Sequence, residues 1–195
     1  MADAKSDSTP VATTDAGKAS SSANNGADAQ LLPPLSPAEF RKYNVHAERM
    51  NMFHNQFRHS WQTLYNACVD GELPEYLSKR QFIRIGIDLC RHLDIHHKLE
   101  ERHVFPYLAK RMPAFAHDVE LIKQHRVIHQ GLDKLEAYLE ACVKGQKELK
   151  LYELKEIMDG FGRVLWQHMD EEVKALGAEN MRKYWTLEEI ARMPW

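Results

Sequence analysis

The chain of 195 residues has no long apolar run, no alternating strand pattern and no stretch dense in basic residues. The first absence excludes a membrane-spanning helix, which needs about 20 consecutive apolar residues. The second indicates an all-helical protein. The third, together with a formal net charge of -2, excludes the basic surface on which nucleic-acid binding depends.

The first 30 residues lack aromatic side chains and contain almost no large aliphatic ones. Such a segment cannot bury enough apolar surface to offset the entropy lost on ordering, so we expect a disordered tail over residues 1–35. The tail has no apolar segment of the kind found in secretory signals. Its four aspartates and its lack of arginine argue against a mitochondrial transit peptide.

Cysteine is also scarce, with only Cys68, Cys90 and Cys142, which are widely spaced. An odd number of isolated cysteines is typical of free thiols in a reducing compartment rather than of a disulfide framework. We therefore expect a cytoplasmic protein, and a nuclear location is compatible with the same pattern.

Beyond the tail, apolar residues recur with helical spacing in long segments that are separated by turn residues. The predicted helices cover residues 36–67, 78–111, 115–144 and 148–176, with a shorter one at 186–192. Four long helices with short connections predict an up-down-up-down four-helix bundle. We assign the bundle to residues 36–177 and a C-terminal extension with a short helix to residues 178–195.

Several helix boundaries have recognisable sequence signals. Ser36, Pro37 and Glu39 predict an N-cap, a first helical residue and the glutamate of a capping box. Gly145 is expected to follow the C-terminus of the third long helix. Pro106 is expected to bend or end the second.

The chain is rich in histidine, with eleven residues, most of them inside the helical segments. On a helical wheel, five imidazoles and two carboxylates fall on the faces that a bundle would turn inward. These are His54 in the first helix, His96 and Glu100 in the second, His125 and His129 in the third, and His168 and Glu172 in the fourth. Residues four apart lie one above the other on a helix, so each pair can reach one ion or two adjacent ions.

Burying two carboxylates in an apolar core costs several kcal/mol for each charge that is not compensated. A bound cation would offset that cost and would also use the imidazole lone pairs. We therefore interpret the seven residues as a metal site. Mixed imidazole and carboxylate donors suit a first-row transition metal such as iron.

Other histidines are assigned differently. His97 follows His96 directly but falls about 100° further round the helix, so we interpret it as a boundary residue, and Glu101 lies further out still. His92 and His103 fall on the inward face, where a polar lining near the ions and ordinary core packing are equally compatible with the pattern. The remaining residues interpreted as surface or boundary positions are His46, His59 and His117.

The chain resembles the hemerythrin-like (HHE cation-binding) family over about residues 40–176. The resemblance rests on the motifs HNQFRHSW, HHKLEERHVFPYL, QHRVIHQGL and QHMDEEVKAL. Their order of His, His-x-x-x-Glu, His-x-x-x-His and His-x-x-x-Glu is the ligand order of the family. The gap between the first two ligand helices is long, and Glu172 stands one residue before the position where dedicated oxygen carriers have an aspartate. These differences favour the broader HHE group.

The resemblance implies two iron ions, bridged by two carboxylates and an oxo or hydroxo group, with zinc or manganese less favoured. It also implies that O2 or a related diatomic or peroxide ligand binds at an open position on one iron. The role would then be sensing, redox chemistry or iron handling, with neither a nucleic acid nor a membrane as partner and no protein partner indicated.

The alternative on the same fold is a di-iron redox enzyme, acting as a peroxide reductase or an oxidase. A ferritin-like enzyme would need a second inward Glu-x-x-His pair besides Glu100 and His103. A zinc metallohydrolase would need a His-Glu-x-x-His motif, which the chain lacks. A metal-free interaction bundle is disfavoured by the cost of its buried carboxylates.

Overall fold

The structure, a computed structural model, describes residues 32–116 and 120–195, and these contain helices and turns but no strand. The prediction of an all-helical protein is confirmed, whereas the predicted disordered tail lies almost entirely outside the described residues. Contacts divide the chain into Met1–Pro34 and Leu35–Trp195, and the fold described below is that of the second unit.

Eight α-helices occur in the described ranges. They are α1 Pro37–Tyr43, α2 Val45–Asp70, α3 Lys79–Leu99, α4 Phe105–Leu108, α5 Glu120–Val143, α6 Leu151–Ala175, α7 Ala178–Met181 and α8 Leu187–Ala191. A π-helical turn, Glu100–Val104, joins α3 to α4, and a 3₁₀ turn covers Pro113–Phe115.

The first N-terminus forms as its sequence predicts. Ser36 Oγ accepts a hydrogen bond from the Glu39 backbone N–H, the Glu39 carboxylate accepts one from the Ser36 N–H, and Pro37 is the first helical residue. The first predicted helix is nevertheless divided at Asn44, where α1 ends. Asn44 Oδ1 accepts a hydrogen bond of 3.2 Å from the backbone N–H of Ala178, so a contact distant in sequence stabilises the break.

Glycines follow the C-terminal ends of two long helices, α2 and α5. Gly71 caps α2 with a φ of 76°, and Gly145 follows α5 with a φ of 70°. Both lie in the left-handed region that glycine adopts without steric cost. The prediction for Gly145 is therefore confirmed.

The four long helices enclose one core. Helix α2 packs against α3 and α6, and α5 packs against the same two helices. A Cβ atom on Gly162 of α6 would lie 2.7 Å from Trp61 Cζ2 of α2, so this glycine allows a close approach of the two helices. The fully buried side chains of this core, which we call the main core, include Leu64, Phe82, Leu93, Ile128, Leu135, Leu139, Leu154, Met158 and Leu165.

A second apolar cluster, the end cluster, is built largely from the segments outside the long helices. Its buried members include Leu108, Met112, Phe115, Leu176, Met181, Trp185 and Ile190. Trp185 Nε1 donates a hydrogen bond of 3.1 Å to Met112 Sδ, and Arg111 donates two to the Glu189 carboxylate, at 2.7 and 3.0 Å. Residues 178–195 therefore pack as part of the fold.

The three cysteines are free: Cys68 and Cys90 are buried and Cys142 is half-buried. Burial raises the pKa of the Cys68 thiol to about 11 and that of Cys90 to about 12, which keeps both in the unreactive thiol form. None of the described helices is long and apolar enough to cross a membrane.

Candidate metal centre

A polar layer separates the main core from the end cluster. On α2, His54 lies between Met50 of the end cluster and Phe57 of the main core; on α5, His125 lies between Leu121 and Ile128 in the same way. Helices α3 and α6 cross the layer too. The buried polar side chains of the layer include His54, His97, Glu100, His125, His168 and Glu172.

The layer contains two sets of four donors, and within each set the donor atoms lie within 4.8 Å of one another. The first set is His97, Glu100, His125 and His168. The second set is His54, His96, Glu100 and Glu172. Because Glu100 belongs to both, the two sets adjoin.

Each carboxylate lies between an imidazole of one set and an imidazole of the other. Glu100 Oε1 lies 2.8 Å from His96 Nε2, while Glu100 Oε2 lies 3.5 Å from His125 Nε2. Glu172 Oε2 lies 3.4 Å from His54 Nε2 and 3.6 Å from His168 Nε2. Both carboxylates are thus placed between the two donor sets.

Several polar atoms at the centre lack a hydrogen bond to any residue that the structure describes. Within residues 32–116 and 120–195, neither oxygen of Glu100 or Glu172 has a hydrogen-bond partner, and neither do the two ring nitrogens of His97. Nε2 of His125 approaches Nε2 of His168 to 3.1 Å, and Nε2 of His54 approaches that of His96 to 3.3 Å. Buried anionic oxygens without partners are costly, and a cation would remove that cost. The residues present therefore fit a metal ion.

Burial favours the neutral, metal-binding form of the imidazoles and disfavours the charged form of the carboxylates. It lowers the pKa of His96 to about 4 and that of His168 to about 3, so both rings are neutral near pH 7 and keep a lone pair. Burial raises the pKa of Glu100 well above its ordinary value, and the nearby charge of Glu172 adds to this. For Glu172, burial acts in the same direction, but the imidazoles of His54 and His168 outweigh it and lower the pKa.

Three of the rings are oriented by hydrogen bonds from their outer nitrogens. His125 Nδ1 donates to Glu101 Oε1 at 2.7 Å, His168 Nδ1 to Gln124 Oε1 at 3.3 Å, and His54 Nδ1 to the Met169 carbonyl at 3.1 Å. A proton on each Nδ1 leaves the lone pair on Nε2, which faces the centre. Partners of this kind fix the tautomer of metal-binding histidines and raise their basicity.

Gln124 is itself held in place by the next acidic residue of α6. Its Nε2 donates a 2.6 Å hydrogen bond to Glu171 Oε2, and Gln167 Nε2 donates to Glu171 Oε1 at 2.8 Å. Sequence reasoning assigned no role to Gln124, Glu101 or Glu171. The only sequence signal for the two acidic residues is that each adjoins a predicted ligand.

Six of the seven predicted ligands, all except His129, belong to the two donor sets. The His129 side chain is 28% exposed, and its Nδ1 lies 3.5 Å from Asp94 Oδ1. The fifth imidazole of the two donor sets is that of His97, whose ring stacks on that of His125 with centroids 3.9 Å apart.

The interpretation of His97 as a boundary residue is wrong, because the side chain has no exposed surface. Helix α3 packs against both α2 and α5, so its buried face is broader than one heptad stripe. It includes the column of Ile83, Cys90 and His97 beside the predicted column of Phe82 and Leu89.

Two further expectations about the histidines are wrong. His92 and His103, expected on the inward face, are exposed, and His59 is exposed as predicted. His46, expected at the surface, is only 3% exposed because α8 covers it, with the Ile190 carbonyl 3.4 Å from Nε2. His117 lies outside the described residues.

Pro106 does not end the helical path at its position. The chain passes through the π-helical turn, in which the Phe105 N–H bonds to the Glu100 carbonyl, and continues as α4 with Pro106 in its first turn. The π turn begins at Glu100, the residue common to both donor sets. Single π turns inside helices are frequently found at functional sites.

A family model for the hemerythrin HHE cation-binding domain matches residues 45–178, which include every donor. The chain belongs to the hemerythrin HHE cation-binding family. An uncharacterized protein from Haemophilus influenzae is 24% identical over 139 residues, covering 66% of this chain and 77% of the relative. No solved structure matches the chain. Family membership agrees with a domain that binds metal ions through clustered histidines and glutamates.

Proposed function

We propose that this hemerythrin-family protein holds two adjacent iron ions in its polar layer and binds O2 or a peroxide at one of them. The observation that carries the proposal is the sharing of Glu100 by two donor sets. Glu100 belongs to both sets, and Glu172 lies between them. This arrangement suits two adjacent ions better than two independent single-ion sites.

We infer that the long helices form an up-down-up-down bundle around these ions. Along α2, the chain runs from Met50 of the end cluster to Phe57 of the main core, whereas along α3 it runs from Leu93 of the main core toward Val104 of the end cluster. Helices α5 and α6 repeat this alternation. Opposite directions in successive helices support the inferred topology.

Iron is the metal we propose because five imidazoles and two carboxylates form a mixed nitrogen and oxygen donor set. Zinc and manganese accept similar donors and are the alternatives. When bound, an iron pair supplies the electrons with which O2 or a peroxide is held or reduced. The protein supplies neutral imidazoles, bridging carboxylates and the outer hydrogen bonds that orient them.

The two donor sets differ in their access to solvent. The first set has three imidazoles, and its histidine side chains are fully buried. The second has two imidazoles, and His96 borders a cleft of about 570 Å³ that also reaches Glu100. We propose that the external ligand binds at the second set, which borders the cleft and has two imidazoles where the first set has three.

The apolar character of the cleft supports a small neutral ligand. Met50, Phe53 and Phe57 line the path to His96 and disfavour the entry of ions. The size of the cleft supports a second candidate, a di-iron redox enzyme that acts as a peroxide reductase or an oxidase, because turnover requires that reactants enter and products leave.

Metal analysis and optical spectroscopy of the aerobically purified protein test the proposal. We expect two irons per chain and a near-ultraviolet charge-transfer band. Reduction without oxygen should bleach the band, and readmission of oxygen should restore it. Stoichiometric zinc without iron would contradict the proposed metal. A loss of hydrogen peroxide that is catalytic and depends on a reductant would favour the enzyme over a binding role.

A further inference from the structure

The three oriented rings of the centre differ in the kind of partner that holds them. His125 and His54 donate from Nδ1 to a carboxylate oxygen and to a backbone carbonyl, and both of these groups can only accept. The partner of His168 is the side-chain amide of Gln124, at 3.3 Å. An amide accepts through its oxygen but donates through its nitrogen. This partner therefore does not by itself fix which nitrogen of His168 carries the proton.

Metal binding by His168 depends on which end of the amide faces the ring. When Oε1 of Gln124 faces it, Nδ1 donates, and the neutral imidazole keeps its lone pair on Nε2. That nitrogen lies among the donors of the first set, 3.1 Å from His125 Nε2. With the amide turned over, its nitrogen would donate to Nδ1, and the proton would move to His168 Nε2. A protonated Nε2 has no lone pair with which to bind an ion.

Glu171 selects between these two orientations of the amide. Its Oε2 lies 2.6 Å from Gln124 Nε2, and a carboxylate oxygen accepts, so the amide must turn its nitrogen to Glu171 and its oxygen to the ring. Gln167, one turn earlier on α6, donates to the other oxygen of Glu171 at 2.8 Å and holds the carboxylate in place. Because Gln124 is only 3% exposed, water has little access to its amide.

We propose that Glu171 is a positioning residue of the first donor set: by fixing the orientation of the Gln124 amide, it sets the tautomer of His168 in which Nε2 is free to bind a metal ion. Glu171 acts on the ring through two hydrogen bonds in series, and the direction of those bonds matters more than the charge that starts them. The proposal rests on metal binding at the first set, and not on the identity of the metal or of the external ligand.

Reversing the direction of the hydrogen bonds tests the proposal. Glu171→Lys replaces an acceptor by a donor at a half-buried position, so the Gln124 amide should turn its oxygen to the lysine and its nitrogen to His168. The full chain, loaded with zinc, is titrated with a chelator, and zinc per chain is measured. The variant should release zinc at a chelator concentration roughly 10- to 100-fold lower than the wild type, the range found for outer partners of metal-binding histidines.

Two further variants separate the direction of the hydrogen bonds from charge. Asp170→Lys makes the same change of charge one residue earlier, on an exposed side chain that pairs with Arg58, and should keep the wild-type affinity. The double variant Gln124→Glu with Glu171→Gln exchanges the two side chains and leaves their summed charge unchanged. The new carboxylate accepts from both His168 and the new amide, so this variant should bind zinc at least as tightly as the wild type.

Circular dichroism of each zinc-loaded sample checks the fold. The proposal is overturned if Glu171→Lys keeps the wild-type affinity, or if Asp170→Lys loses as much affinity as Glu171→Lys. An exchanged pair that binds zinc more weakly than the wild type overturns it as well, even if Glu171→Lys does not fold. Zinc is the probe throughout, so a failure to find iron, which would contradict the proposed function, does not alter the outcome of this experiment.

Discussion

The two donor sets share a carboxylate but differ in their surroundings. The imidazoles of the first set are fully buried, and two of them, His125 and His168, are oriented by Glu101 and Gln124. The second set borders an apolar cleft through His96. Under the proposed function, the first set retains an ion and the second gives an external ligand access to one, although both use the same residue types.

The most severe test of the comparison changes the residue that the two sets share. Glu100→Gln removes a bridging anion and places a neutral amide among lone pairs in a buried site, so both ions should be lost. Metal per chain measures the effect. Glu75→Gln is the matched control, because Glu75 is exposed and its change should leave the metal count unchanged. Retention of both ions in Glu100→Gln would show that the sets are independent.

Removing the ions should destabilise the whole domain, because the ligands come from all four long helices. If metal is present at about 100 times its dissociation constant, binding contributes about 2.7 kcal/mol, or a melting temperature roughly 5–10 °C higher for a domain of this size. Thermal melts with and without chelator measure the shift. Superimposable curves would mean that the buried carboxylates are neutralised in another way.

Replacing one histidine in either set should remove the ion of that set and leave the other ion bound. His97→Ala should reduce the metal content to about one ion, with the remaining ion at the second set. His96→Ala should give the opposite result and also abolish the effect of external ligands on the optical spectrum. His129→Ala is the decisive control, since that side chain lies outside both sets. If His129→Ala loses an ion and His97→Ala does not, the assignment of the fifth imidazole is reversed.

The smallest expected effect concerns a residue that orients a ligand without being one. Glu101→Gln weakens the hydrogen bond to His125 Nδ1, so metal affinity at the first set should fall by roughly 10- to 100-fold. At saturating metal the count should be normal, and a competition titration with a chelator is needed to detect the loss. His54 has a backbone carbonyl as its partner, so the second set should retain its affinity.

Much of the site follows from the sequence, because metal ligands on one helix face recur at regular spacings along the chain. Residues four apart on one helix face the same way, so His168 with Glu172 and His96 with Glu100 could be identified as pairs. The pattern of helices and caps, such as Ser36 with Glu39, depends on interactions between neighbours in the chain. Of the seven donors that these local rules predict, six lie in the two donor sets of the structure.

A helical wheel could not predict that His97, and not His129, lies in a donor set. His125 and His129 share a face on α5, yet one turn of helix carries His129 toward Asp94 and the edge of the bundle. His96 and His97 are about 100° apart on α3, and both face inward because this helix has a neighbour on each side, α2 and α5. How wide a face is buried depends on where those neighbours lie.

The sequence alone determined the all-helical class, the helix ends at Ser36 and Gly145, and the order in which histidines and glutamates follow one another. Periodicity and capping are properties of one segment, so a single chain records them. Only the tertiary structure decided that His97 lies in a donor set, that α8 buries His46, and that a cleft opens beside His96. Those features arise where separate helices meet. The sequence of one helix does not show where its neighbours will lie, so it cannot predict them.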